Sequence, residues 1–197
     1  MNKEALKDNF ERRGFAVSFF ENKEEAARYL VENIKGQTVG FGGSVTLEQM
    51  GLYELLSREN TVYWHHKSGA PDIRKLASCS KVYITGANAV TQEGEIVNID
   101  GRGNRVAATA FGPEVCYFVV GKNKITQNLT EGIYRCRNIA APQNAKRLGA
   151  KTPCAVKGDK CYDCDSPARI CRLLLITERA PFGMKSEILF IDEDLGL

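Results

Sequence analysis

Four of the chain's seven cysteines are concentrated in one short segment with the spacing C-x6-C-x2-C-x6-C. The inner pair forms a Cys-x2-Cys knuckle that can grip a metal ion from two sides, and a short loop brings the outer cysteines within reach. The spacing differs from the ferredoxin run and from the paired knuckles of zinc ribbons, so it leaves an iron–sulfur cluster and a zinc ion both open. The predicted metal ligands are Cys154, Cys161, Cys164 and Cys171.

The residues around these cysteines favour a metal site. The segment has few apolar side chains to hold it together, and a bound metal would supply that order. Ser166 followed by Pro167 predicts a helix start that carries Cys171. Ordinary thiols, or a disulfide between Cys164 and Cys171 formed on purification, are the alternative. Basic residues that would offset the thiolate charge are Lys157, Lys160, Arg169 and Arg172. The remaining cysteines are predicted to be buried apolar residues, namely Cys79, Cys116 and Cys136.

A second candidate site is the glycine-rich turn that follows a predicted strand. Gly42 and Gly43 let the backbone approach an anion closely, and the Ser44 hydroxyl can donate to it. Thr46 and Gln49 have the spacing of a capping box at the start of the next helix. The dinucleotide-binding fingerprint is not met, because its third glycine is missing. The turn therefore predicts a phosphate or carboxylate site, and a plain strand-to-helix turn that binds nothing is the alternative.

The third candidate is the polar run 86–105, which lies between two strongly apolar predicted strands. Strand alternation places Asn98 and Asp100 on the same side, where they form a workable pair for hydroxyl recognition or proton transfer. Together with Glu95 they are the predicted catalytic residues, which would orient or deprotonate a substrate. A solvated hairpin with asparagine and glycine turns is the alternative.

Two adjacent histidines, His65 and His66, follow the predicted strand 61–64 at its carboxyl end. That position can face a crevice in a parallel sheet. However, no carboxylate or cysteine stands at ligand spacing from them, so the sequence favours a surface or structural role.

Hydrophobic periodicity predicts the elements that must position these residues. Strand-like and helix-like segments alternate along the chain, which indicates right-handed βαβ units and a mainly parallel sheet covered by helices on both faces. The fold class predicted in this way is a three-layer α/β domain covering residues 1–197. A kink or restart is expected at Pro142 within a long helix over 130–148. The predicted strands are 15–20, 38–42, 61–64, 81–85, 115–121, 173–177 and 187–192, with a hairpin over 90–99. The other predicted helices are 2–13, 22–34, 45–58, 71–80 and 105–112.

Composition excludes several classes of function. The chain has 197 residues, 43% hydrophobic and 26% charged, which is ordinary for a globular protein. Its formal charge of +3 comes from dispersed basic residues, so no nucleic-acid partner is expected. No apolar run is long enough to span a membrane, and the charged first twenty residues lack the layout of a signal peptide, so a cytoplasmic protein is expected.

Several long motifs resemble the LUD-domain family of lactate-utilization proteins, including its stand-alone members. They are "GFGGSVTLEQMGL", "GANAVTQEGEIVNIDGRGNRVAATAFGPEVCYFVVGKNKI", "RNIAAPQNAKRLG" and "DEDLGL", which are distributed between residues 40 and 197. That family resembles the Rossmann-like fold of ribose-5-phosphate isomerase, glucosamine-6-phosphate deaminase and the CoA-transferases. The resemblance implies that two elements line one crevice. Gly42, Gly43, Ser44 and Thr46 match the first element, and Asn88, Glu95, Asn98 and Gly101 match the second.

The resemblance also implies a function. It predicts a small-anion crevice and participation in the oxidation of L-lactate to pyruvate, alongside iron–sulfur partner subunits. Because no flavin or nicotinamide motif is present, the electron acceptor is expected on another protein. One alternative is a non-catalytic accessory or assembly protein for an iron–sulfur redox complex, and another is a sugar-phosphate isomerase or CoA-transferase analogue. A homo-oligomer is compatible with all three.

Overall fold

The computed structural model describes residues 2–197, and its centre is a six-stranded parallel sheet. Every pair of neighbours in this sheet is parallel, and one row of the register runs from Val39 through Val82 and Val115 to Lys185. In chain order the strands are β1 (Ala16–Phe20), β2 (Thr38–Phe41), β3 (Thr61–Tyr63), β4 (Val82–Gly86), β5 (Ala89–Thr91), β6 (Ile96–Asp100), β7 (Val115–Gly121), β8 (Ile125–Thr126), β9 (Leu173–Thr177) and β10 (Lys185–Ile191). The parallel sheet has the order β1-β10-β7-β4-β2-β3.

Helices cover both faces of this sheet, which confirms the predicted three-layer α/β architecture. In chain order they are α1 (Lys3–Arg12), α2 (Lys23–Asn33), α3 (Val45–Gln49), α4 (Leu52–Leu56), α5 (Ile73–Ser78), α6 (Asn104–Ala110), α7 (Leu129–Arg135), α8 (Ala141–Arg147) and α9 (Pro153–Lys157). One apolar core holds residues of α2, α3 and α4 on one face, and a second core holds residues of α1, α5 and α6 on the other. The central strands β7 and β10 are buried at almost every position because both of their faces are covered.

A smaller second sheet, with the order β8-β5-β6-β9, was not predicted. Its β5–β6 hairpin is the one expected over 90–99, and Gly94 makes the turn with a φ of +101°. Strand β9 pairs antiparallel with β6, whereas β8 pairs parallel with β5. This sheet packs against α7 and α8 through Val97, Cys136 and Ala141.

Two predicted helices are interrupted. The helix expected over 45–58 divides into α3 and α4, because Gly51 adopts a left-handed φ of +62° between them. The helix expected over 130–148 passes through a π-helical turn, Cys136–Ala140, and restarts as α8 with Pro142 in its first turn. That restart agrees with the expectation, since proline lacks an N–H and is tolerated only in a first turn.

The cysteine segment differs from its prediction in two respects. It contains the unpredicted helix α9, whereas the helix expected from Ser166 and Pro167 does not form beyond a single turn. The Arg172 side chain donates to the carbonyl oxygens of Arg169 and Pro167, at 3.1 and 2.5 Å. Those bonds satisfy carbonyl groups that a helix would have paired internally.

None of the helices formed by residues 2–197 has the length and apolar character needed to cross a lipid bilayer.

Gly40→Ala is expected to destabilise the fold strongly. A Cβ atom at Gly40 would lie 2.0 Å from the backbone oxygen of Ala77, so β2 and α5 would have to separate. We expect a loss of about 3 kcal/mol in the free energy of unfolding, measured by urea denaturation. Gly69→Ala is the control, because nothing lies within 4 Å of a Cβ there, and its effect should stay within about 0.5 kcal/mol. Equal stability of the two variants would contradict this packing.

Candidate functional site

A cavity of about 550 Å³ opens at the carboxyl ends of the parallel strands. We call it the crevice. Gly43 and Ser44 reach it from the end of β2, and Asn88 reaches it just after β4. Asp100 and Gly101 reach it from the end of β6, so both candidate elements of the sequence lie on one cavity. Ligands of open α/β sheets bind at this edge because the strand ends and the following loops converge there.

Arg105 forms the floor of the crevice. Its guanidinium donates to Asn98 Oδ1 at 2.6 Å and to Asn88 Oδ1 at 2.8 Å, and to the carbonyl oxygens of Gly86 and Ile99 at 3.3 and 2.5 Å. All four acceptors are neutral, and within residues 2–197 no carboxylate lies within 4.0 Å of the guanidinium. Burial lowers the pKa of Arg105, but an arginine stays protonated at neutral pH. The crevice floor therefore carries a positive charge.

Lys124 is a second positive group in the crevice wall. The residue is only 3% exposed, and its Nζ donates to Thr46 Oγ1 at 2.8 Å. Among the ion pairs of residues 2–197 none involves Lys124. Burial, followed by repulsion from Arg135 and Arg105, lowers the pKa of Lys124 to about 7. A bound anion would offset the cost of burying this ammonium group and would raise that pKa again.

The remaining charged side chains of the crevice are one carboxylate and three arginines, so cations predominate. Asp100 is the one carboxylate side chain among the lining residues, and its oxygens accept the backbone N–H groups of Arg102, Arg105 and Val106 at 3.0 to 3.2 Å. It thereby fixes the start of α6 and is already hydrogen-bonded. Other lining cations are Arg74, Arg102 and Arg147. A cavity with this balance of charge attracts anions.

A carboxylate–histidine pair also faces the crevice. His66 Nδ1 lies 2.5 Å from Glu48 Oε1, which leaves Nε2 as the nitrogen available to a ligand. A Cβ atom at Gly43 would lie 3.6 Å from that Nε2, so the imidazole is over the glycine turn. The Trp64 ring stacks on the His66 ring with centroids 5.1 Å apart. An imidazole oriented in this way by a carboxylate can accept a proton from a bound substrate.

His65 is a neutral neighbour of this pair. Its ring meets His66 edge-on, with centroids 4.4 Å apart. Burial, and then the positive charges around it, lower the pKa of His65 to about 4. Both histidines line the crevice, as their position after a parallel strand allows, and the surface or structural role favoured by the sequence stays a prediction. The position after a parallel strand was the available signal, but Glu48 lies on α3, beyond local ligand spacing.

Three predicted site residues do not line the crevice but contact the side chains that do. A Cβ atom at Gly42 would lie 3.2 Å from Arg105 Cδ and 2.6 Å from Thr85 Oγ1, so the glycine makes room for the arginine. Thr46 is fully buried and accepts the hydrogen bond from Lys124. Asn98 is 1% exposed and holds Arg105, which makes it a positioning residue in this geometry.

Glu95 lies outside the crevice, so its predicted catalytic role requires correction. Its carboxylate pairs with Arg13 at 2.7 Å and accepts a hydrogen bond from the Thr91 hydroxyl at the base of the hairpin. Glu95 directly precedes β6 and lies at the hairpin end of that strand, whereas the crevice lies at its Asp100 end. The pairing partner, Arg13, directly follows α1 and is 82 residues away in the chain.

The four predicted metal ligands line a second, smaller cavity, which we call the cysteine cavity. The side-chain positions of residues 2–197 bring no three His, Cys, Asp or Glu groups together as a ready metal site. The predicted metal therefore remains a proposal. Of the other cysteines, Cys116 and Cys136 are buried as predicted, whereas Cys79 is exposed and its predicted burial is wrong.

Lys124→Met tests the unpaired charge of the crevice. The folded pKa of about 7 is far below the value of ~10.4 expected in the unfolded chain, so the unfolded state binds more protons between these values. Wild-type stability should therefore rise with pH across that window. We expect Lys124→Met to be more stable than wild type by about 2 kcal/mol near pH 6, and the gain to shrink towards about pH 10.

Urea denaturation at several pH values measures this difference. Lys122→Met is the control, because Lys122 is exposed and pairs with Asp192 at 3.1 Å, and its effect should stay below about 0.5 kcal/mol. A gain for Lys124→Met that does not change with pH would show that the ammonium group is not buried as described.

Comparison with known proteins identifies the family of the chain. No curated protein sequence matches it. A crystal structure of a DUF162-family protein from Deinococcus radiodurans is similar over 95% of this chain and 94% of that one, with a TM-score of 0.56 at 13% identity. That likeness supports the α/β fold alone. Ribose 5-phosphate isomerase A from Neisseria gonorrhoeae aligns with 54% of each chain at 18% identity, but its TM-score of 0.34 is too low to carry an argument. The LUD domain family model matches residues 3–191. Since that match extends over nearly the whole sequence, the chain belongs to the LUD-domain family.

Proposed function

We propose that this LUD-domain protein binds a small carboxylate in the crevice and acts in the oxidation of L-lactate to pyruvate, together with iron–sulfur partner subunits. The observation that carries the proposal is the pair of cations, Arg105 and Lys124, that line the crevice without a carboxylate partner within residues 2–197. Buried charges are normally paired because an isolated one is costly to desolvate. A substrate carboxylate would be that partner.

Lactate needs three things from a site, and the crevice offers two of them. Its carboxylate needs cationic donors, which Arg105 and Lys124 supply from the floor and wall. Its C2 hydroxyl must lose a proton, and His66 can take that proton while Glu48 stabilises the resulting imidazolium. Asn88, Asn98 and Asp100 act indirectly by fixing the guanidinium and the start of α6.

The third requirement is an acceptor for two electrons. Conversion of lactate to pyruvate removes the hydroxyl proton together with the C2 hydrogen and its bonding pair. In this proposal the hydroxyl proton goes to His66, and the C2 hydrogen and both electrons go to a two-electron acceptor supplied with the iron–sulfur partners. A cavity of about 550 Å³ leaves room for such a group beside a three-carbon acid.

The carboxylate site is tested by calorimetric titration with L-lactate, pyruvate and inorganic phosphate. We expect the wild type to bind both carboxylates and Lys124→Met to bind them at least about tenfold more weakly, which corresponds to about 1.4 kcal/mol. Lys122→Met should bind like the wild type, because Lys122 pairs with Asp192 outside the crevice. Binding of phosphate alone would reject the lactate proposal and favour a sugar-phosphate ligand.

The proposed base is tested in a separate assay, lactate-dependent dye reduction by the protein with its partner subunits. His66→Gln should lower the rate by about 100-fold or more while lactate binding is retained, because only proton transfer is lost. Glu48→Gln should lower the rate less. Glu54→Gln is the matched control, since Glu54 on α4 pairs with the exposed Lys67. A His66→Gln protein with the wild-type rate would rule out the imidazole as the base.

A further inference from the structure

All four cysteines of the segment line the cysteine cavity. Cys154 reaches it from α9, Cys161 and Cys164 from the loop that follows, and Cys171 from the stretch just before β9. Residues 159–172 form no helix or strand, so little backbone hydrogen bonding holds them. Four thiols on one cavity, in a segment with so little other structure, are what a structural metal site requires.

The inner knuckle already has a geometry suited to a thiolate ligand. The backbone N–H of Asp163 donates to Cys161 Sγ at 3.3 Å, and such bonds stabilise a sulfur that carries negative charge. Asp163 has a φ of +42°, and among residues 2–197 it is the one residue other than glycine with a positive φ. This left-handed conformation turns the chain between Cys161 and Cys164, and aspartate tolerates it better than most residues.

The cysteine cavity also contains a buried donor without an acceptor. Arg169 Nε is inaccessible to solvent and has no hydrogen-bond partner among residues 2–197, although its Nη1 donates to the Cys164 carbonyl oxygen at 2.8 Å. An unsatisfied buried donor costs about 1–3 kcal/mol, more when it is charged. Thiolate sulfurs or the sulfides of a cluster are acceptors of the required charge at this position.

The cysteine cavity and the crevice share a wall. Ala141 and Ile170 line both cavities, and Ile170 immediately precedes Cys171. The Ile170 backbone packs closely against the end of β6. A Cβ atom at Gly101 would lie 2.9 Å from the Ile170 backbone oxygen. Next to it, the Arg172 N–H donates to the Asp100 carbonyl oxygen at 3.0 Å. Whatever fixes Cys171 therefore also fixes one side of the crevice.

We propose that Cys154, Cys161, Cys164 and Cys171 together bind a thiophilic metal centre, a zinc ion or an iron–sulfur cluster, which fixes the wall shared with the crevice. The thiols turn inward around the cysteine cavity and lose their protons when the metal binds. Arg169 then donates to the sulfur atoms and offsets part of their charge. This proposal does not depend on lactate being the substrate.

The first test is anaerobic purification followed by elemental analysis and a visible absorption spectrum. We expect about one zinc per chain and no visible band, or iron with acid-labile sulfide and a sulfur-to-iron charge-transfer band. Cys161→Ser and Cys164→Ser should lose the metal, whereas Cys79→Ser should keep it, because Cys79 is exposed at the end of α5, outside the cysteine cavity.

A cysteine variant could lose the metal because it misfolds and not because a coordinating thiol is missing. The wild-type chain distinguishes these two explanations. Its metal-free form is titrated with Co²⁺, whose absorption reports four-thiolate coordination. The proposal is overturned if the metal-free wild-type protein, with its thiols reduced, binds neither Co²⁺ nor an iron–sulfur cluster. It is equally overturned if Cys161→Ser and Cys164→Ser, folded by circular dichroism, retain the metal of the wild type.

Amide hydrogen exchange tests the shared wall without any crevice ligand. The Arg172 amide bonds to Asp100, so metal binding should slow its exchange at least about tenfold relative to the metal-free protein, which corresponds to about 1.4 kcal/mol of added local stability. The amide of Ile188, a fully buried residue of β10, serves as the internal reference. Equal protection of Arg172 in both forms would overturn the claim that the metal fixes the crevice wall.

Discussion

The Arg105 guanidinium joins the two sheets of the molecule, and the crevice depends on it. Through the Gly86 carbonyl it contacts the end of β4 in the parallel sheet, and through Asn88, Asn98 and Ile99 it contacts the smaller sheet. An arginine suits this position because its planar group directs several donors to fixed acceptors. A lysine offers one point charge, so it could not hold both asparagines and two carbonyl groups in the same arrangement.

The charge of this arginine gives the crevice its chemistry because none of its acceptors is an anion. Elsewhere the protein pairs a half-buried arginine in the ordinary way, since Arg13 has the Glu95 carboxylate at 2.7 Å. At the crevice, the nearby Asp100 carboxylate instead accepts hydrogen bonds from backbone N–H groups at the start of α6. Arg105 and Lys124 therefore have no carboxylate partner within residues 2–197. Burial of the unpaired Lys124 ammonium group lowers its pKa to about 7, and this burial reduces the stability of the fold.

The sequence was informative where local pattern decides the structure. Alternating apolar segments predicted the parallel sheet, and the polar run 86–105 predicted the pair Asn98 and Asp100. The family resemblance implied that Asn88 and Gly101 share one crevice with the glycine turn. Contacts between residues far apart in the sequence could not be predicted from local pattern. Lys124 lies in the polar stretch "GKNK", where a lysine resembles a solvated residue, and it is buried only because Thr46 and the chain near Leu195 close over it. Glu95 was assigned to the site as an acid of the polar run, and nothing local indicates that it pairs with Arg13 just after α1.

Two segments of chain, 100–105 and 171–172, lie between the crevice and the cysteine cavity. The crevice needs its anion-binding groups held rigidly, since a displacement of about 1 Å weakens charge-assisted binding and positioning severely. Yet the segment that covers Gly101 has no helix or strand of its own between residues 159 and 172. Rigidity must come from cross-links, and the backbone bond from Arg172 to Asp100 is one of them. A centre held by four thiols would be the stronger one, because it ties α9, the loop and the start of β9 to a single point. With such a centre bound, the cysteine segment would stiffen the wall that it shares with the crevice.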